Sequence, residues 1–176
     1  MKVSVRKLTI MAALTAAALI IFIIEAQIPL PIPVPGVKLG LANTMTLFAL
    51  FHGRGKERGA DSLSTANAFA ILICRIILGA MFTGRIVALI YSATGGLLGF
   101  AAQVIIKRLV SNKQIWVCGA IGAVFHNIGQ ILAAMLITGT PAIAAYLPVL
   151  IIAGVITGVI TGLIAQLTLT RIGKLT

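Results

Sequence analysis

The chain has 176 residues, 60% hydrophobic and only 10% charged, with 14 Lys and Arg against 3 Asp and Glu. A soluble fold of this size leaves too much surface in water to hide that much apolar material, so lipid is the expected solvent. Long unbroken apolar runs fit spanning helices and exclude the alternating strands of a barrel. The net charge of +11 is dispersed between those runs. It reads as topology information and attraction to lipid headgroups, not as a nucleic-acid footprint.

A spanning helix needs about 20 mainly apolar residues. The first candidate, 8–28, follows Lys2, Arg6 and Lys7. It resembles a signal peptide but ends in Glu25-Ala26-Gln27 with no small-x-small cleavage site, so it reads as a retained helix. Next comes the outer segment 29–40, with prolines at alternate positions from Pro29 to Pro35. Those prolines stiffen an extended chain that serves as a cap over a bundle mouth or as a rigid connector. The second span, 39–51, is short by itself and must borrow length or sit where the bilayer is thin. A polar, Gly-rich turn from His52 to Asp61 precedes the remaining spans: 64–82, 86–106, 115–137 and 144–169.

Charge tests this count. With the N-terminus inside, the cytoplasmic cations are Lys2, Arg6, Lys7, Arg54, Lys56, Arg58, Lys107, Arg108, Lys113, Arg171 and Lys174. Lys38 and Arg85 lie outside and Arg75 lies within the third span. If 39–51 failed to cross, the Arg54–Arg58 cluster would face outward, against the positive-inside rule. The expectation is one all-α membrane domain over 1–176, a six-helix bundle with both termini cytoplasmic, in a bacterial cytoplasmic membrane.

Small residues recur at four-residue spacing: Ala12/Ala16 and Ala13/Ala17, Gly95/Gly99, and Gly154/Gly158/Gly162. Such faces let helix backbones approach closely. Cys74 and Cys118 lack CxxC or metal-ligand spacing and read as small core residues.

Polar groups inside the spans carry the functional argument, because each is costly in lipid. Arg75, near the middle of the third span, must face the bundle interior. It is an anion anchor for a carboxylate or phosphate, or else an internal partner of Glu25. In the fifth span Gly119, Gly122, His126, Gly129 and Gln130 share one helical stripe, with Asn127 beside it. That stripe is the wall of a binding cavity or an interhelical hydrogen-bond cluster. Asn43, Tyr91, Ser92 and Tyr146 are further contributors toward the outer half. No metal site is expected, since His52 is the only other histidine. No phosphate-binding Gly loop is present, so the chain does not hydrolyse ATP by itself. No paired carboxylates offer a catalytic site, and none of its residues is expected to be catalytic.

Several strings carry a resemblance: Val37-Lys38-Leu39-Gly40-Leu41-Ala42-Asn43, Arg75-Ile-Ile-Leu-Gly79, Tyr91-Ser92-Ala-Thr-Gly95-Gly96, His126-Asn127-Ile-Gly129-Gln130 and Tyr146-Leu-Pro148-Val. Together they resemble the Gx transporter family, also labelled heptaprenyl diphosphate synthase component I, over nearly the whole chain. That family is similar to the substrate-binding subunits of energy-coupling factor transporters. The resemblance implies a six-helix subunit that binds a small cofactor or precursor beneath its first outer loop. It also implies docking through Ala12, Ala13, Ala16 and Ala17 onto a transmembrane coupling protein driven by ATPase subunits. Relatives are associated with flavin and quinone redox biology, and an isoprenoid ligand also suits the apolar remainder. The enzymatic label fits an accessory role only: a catalytic prenyl diphosphate synthase needs Asp-rich motifs for magnesium, and this chain has one aspartate, Asp61. The alternative expectation is therefore a non-catalytic membrane partner of such a synthase or of a redox assembly, with no cofactor of its own.

Overall fold

A computed structural model describes residues 4–28, 38–52, 62–84 and 86–172. The described residues form helices α1 (Val5–Glu25), α2 (Asn43–Phe51), α3 (Thr65–Thr83), α4 (Ile86–Ile106), α5 (Ile115–Thr138) and α6 (Leu147–Ile172), with a 3-10 turn over Pro141–Tyr146. The Pro-rich part of the outer loop, the Arg54–Arg58 cluster, Arg85 and Lys174 lie outside the described residues.

Local chemistry sets the helix ends. Ser64 and Asn67 form a reciprocal capping box that starts α3. Left-handed glycines, Gly84 and Gly139, end α3 and α5. Inside the helices, Thr9, Thr15, Thr94, Thr138, Thr157 and Thr168 turn their hydroxyls back onto carbonyls one turn earlier. In lipid that satisfies a donor water cannot reach.

Among the described residues, five helices are long and apolar enough to cross a membrane: α1, α3, α4, α5, and α6 with its leading turn. Their outward faces carry large apolar side chains, with Leu136 85% and Met81 72% exposed, while Arg75, His126, Asn127 and Gln130 are buried. Large apolar side chains turned outward and polar ones turned inward suit a multi-pass membrane protein.

The second predicted span differs from the expectation. Its helix begins at Asn43, not at residue 39, and has nine residues. It rises roughly 14 Å, about half the hydrocarbon thickness. The preceding residues form a turn around Gly40 that is tied to α1, which delays the helix start. Lying at the centre against all five other helices, α2 is buried nearly all round. In the sixth span the α-helix itself starts at Leu147, and residue 144 lies in the 3-10 turn that Pro141 opens within the same apolar stretch.

Packing is uneven. Helices α4, α5 and α6 form a slab in which glycines bring backbones into contact. A Cβ on Gly99 would sit 2.7 Å from the Gly122 carbonyl, and one on Gly158 would sit 2.6 Å from the Ala120 Cα. The glycine stripe of α5 faces two helices: Gly122 and Gly129 approach α4, whereas Gly119 approaches Gly158 and Gly162 of α6. An apolar cluster built on Leu47, Leu50, Ile71, Leu72 and Ile115 fills one end of the bundle. A smaller one, with Tyr91, Ile131, Ala134 and Leu150, fills the other. Cys118 is buried as expected, but Cys74 is exposed on the outer face of α3.

Candidate binding site

Between the two apolar clusters lies a layer of buried polar side chains, where the turn before α2 meets α1, α3, α4 and α5. Glu25 ends α1 and is buried. Its carboxylate accepts hydrogen bonds from the backbone N–H groups of Gly40 and Leu41. Gly40 has φ +81°, and a Cβ there would lie 2.9 Å from the His126 ring, so conformation and space both require glycine. Two successive N–H groups aimed at one carboxylate make a small anion nest, which holds the turn that launches α2. The same turn is tied to α5 by Lys38 N–H donating to Gln130 Oε1 at 3.2 Å. The Lys38 ammonium lies over the Phe22 ring, 3.2 Å from its centroid.

Arg75 is 2% exposed. Its Nη2 donates to Asn43 Oδ1 at 3.1 Å. A guanidinium has no acceptor, so Asn43 must turn its carbonyl toward Arg75 and its amide NH2 toward His126 Nδ1, 3.1 Å away. Nδ1 then accepts, and Nε2 is the protonated nitrogen, with the Gly95 backbone as hydrogen-bond partner. One relay, Arg75 to Asn43 to His126, therefore joins α3, α2 and α5. Glu25 acts on Arg75 through space, but among the described residues the two make no direct ion pair. The buried Nε of Arg75 has no hydrogen-bond partner.

The structure thus brings Arg75, Asn43, His126 and Gln130 together. Ser92 is buried on α4 one turn before Gly96, whose Cβ position lies 3.5 Å from Arg75 Nη2. Other expected residues have different neighbours. Asn127 points to α6, where its Nδ2 donates to the Leu150 carbonyl at 2.6 Å and lies against Gly154. Tyr91 belongs to the smaller apolar cluster, and Tyr146 packs half-buried on that cluster from the 3-10 turn. Ala12, Ala13 and Ala16 are exposed along α1, with Ala17 half-buried.

Sequence reasoning missed two roles. Gln103, one turn after Gly99, is buried and fills the space left by Gly122, and its own carbonyl accepts from Cys118 Sγ at 3.4 Å. Its spacing from Gly99 placed it on the packed face. Gln166 reaches from α6 to accept the Ile115 N–H at 3.0 Å, a contact no local pattern announces.

The chain matches the family model described as heptaprenyl diphosphate synthase component I over residues 14–168. It belongs to that family. Curated proteins and solved structures give no match. By its description the family is one component of a synthase, that is, a subunit working beside another.

Proposed function

We propose that this protein is a membrane-embedded substrate-binding subunit of an energy-coupling-factor-like transporter for a small cofactor or precursor of flavin, quinone or isoprenoid type. The observation that carries this reading is Arg75: a buried guanidinium in a membrane helix, oriented by Asn43 yet with its Nε left unpartnered. A buried ionisable group in lipid is retained only for a function or a partner. Arg75 anchors the ligand's anionic group, while His126 and Gln130 supply hydrogen bonds and Ser92, Tyr91 and Tyr146 border the approach. Asn127 holds α5 to α6 and supports the wall.

In this reading the chain crosses the bacterial cytoplasmic membrane six times, counting α2, with both termini inside. The positive-inside distribution supports that orientation. The exposed alanines of α1 dock a coupling protein, and ATPase subunits supply the energy.

Mass spectrometry of small molecules co-purifying in mild detergent tests the reading, with Arg75→Ala alongside. A cofactor present in the wild type and lost from the variant is expected. An unchanged ligand load in the variant would remove Arg75 from the site. The family description favours a second reading, a non-catalytic membrane subunit of a prenyl diphosphate synthase. Under it, a soluble synthase co-purifies and no small molecule does.

A further inference from the structure

We infer that the seat at Arg75 takes a ligand with one negative charge, a carboxylate or comparable monoanion, and discriminates against phosphate dianions and diphosphates. The inference rests on the binding-subunit reading and narrows its substrate class.

Charge counting at the polar layer supplies the argument. The chain has three acids, Glu25, Glu57 and Asp61. Glu57 and Asp61 belong to the segment joining the C-terminal end of α2 to the start of α3. Arg75 lies ten residues into α3, roughly 15 Å of helix from that start. The outer segment 29–37 contains no charged residue. Among the described residues Glu25 is the one acid at the layer, and its carboxylate is engaged by the Gly40 and Leu41 N–H groups. Lys38 and Arg75 both act on it through space. Two cations against one acid leave a single uncompensated positive charge.

Geometry locates that charge. The Lys38 ammonium is itself buried and sits on the Phe22 ring, whose face takes up part of its charge. Arg75 is 2% exposed, and its Nε hydrogen has nothing to bond. An Nε–H beside an Nη–H is the edge of a guanidinium that matches a planar carboxylate with two parallel hydrogen bonds. A monoanion there closes the charge count. A dianion reverses its sign and leaves a surplus negative charge in a low-dielectric layer, which is as unfavourable as the bare cation.

The test uses the whole purified chain in mild detergent at pH 8, with thermal unfolding followed against three probes that share one ring. Benzoate carries one negative charge, phenyl phosphate about two, and benzamide none. Benzoate is expected to raise the unfolding midpoint, phenyl phosphate to need at least about tenfold higher concentration for the same rise, and benzamide to do nothing. Arg75→Gln keeps a donor for Asn43 and removes the charge; it should abolish the benzoate response and leave the ligand-free protein no less stable than the wild type. Glu25→Gln keeps an acceptor for the nest and adds one net positive charge, so it should narrow the gap between the two anions.

Equal or tighter binding of phenyl phosphate by the wild type would overturn the single-charge assignment and leave the binding-subunit reading standing. A co-purified ligand carrying a diphosphate would do the same. No response to any anion, with no small molecule co-purifying, would remove the binding-subunit reading itself. A large loss of stability in ligand-free Arg75→Gln would show the charge to be neutralised internally and would also overturn the inference. The probe comparison needs no variant to fold.

Discussion

The two halves of the bundle are held together differently. In α4–α6 backbone meets backbone: glycines on one helix face carbonyls and Cα atoms on the next. In α1–α3 the contacts run through side chains, and α1 has the least buried span of the five. Phe22 shows the difference, since its ring fills the space beside Gly79 where the slab would have placed main chain. A backbone contact cannot yield without moving a helix, whereas a ring can turn. The slab is thus a fixed wall presenting His126 and Gln130, and the other half is an adaptable partner presenting Arg75, Asn43 and Glu25. The relay through Asn43 crosses the seam between them.

Paired substitutions break or sharpen this contrast. Gly119→Ala places a methyl against the Gly158 carbonyl and the Gly162 backbone. It should cost about 3 kcal/mol, the upper range for overpacking. Gly79→Ala meets only the Phe22 ring and should cost about 1 kcal/mol or less. Thermal unfolding of both in one detergent checks the order, and equal losses would mean the halves are packed alike. Asn127→Ala removes the bond to Leu150 within the slab. A stability loss of about 1 kcal/mol, with the benzoate response unchanged, would separate this wall support from the ligand contacts proposed for His126 and Gln130. The smallest expected effect is at the lipid face. Ala13→Leu combined with Ala16→Leu should change the isolated chain by under about 0.5 kcal/mol while reducing recovery of a membrane partner in a pull-down.

Much of this was legible beforehand because lipid imposes a simple rule: apolar stretches of the right length become helices, and costly polar groups turn inward. The buried positions of Arg75, His126 and Gln130 follow from that rule, as does the inward face of Gly154, Gly158 and Gly162. What the sequence hid depends on direction within the interior. On α5, Asn127 is one residue from His126, yet a turn of about 100° aims it at α6 instead of α2. Residue types offer Glu25 only as a partner for Arg75, because a carboxylate bound by backbone N–H groups leaves no trace in them. The late start of α2 was hidden for the same reason, since it depends on the Gly40 turn and its tie to α1.

The nine-residue α2 also bears on how the protein is made. A segment of that length has too little apolar surface to stay in a bilayer alone, and in its final place it is covered by helices before and after it in the chain. Its neighbours α4, α5 and α6 are synthesised later. The order of assembly therefore cannot follow the order of translation: α2 is covered only in part, by α1 and α3, until the last helix arrives. That interval is when a membrane chaperone or insertase has something to hold.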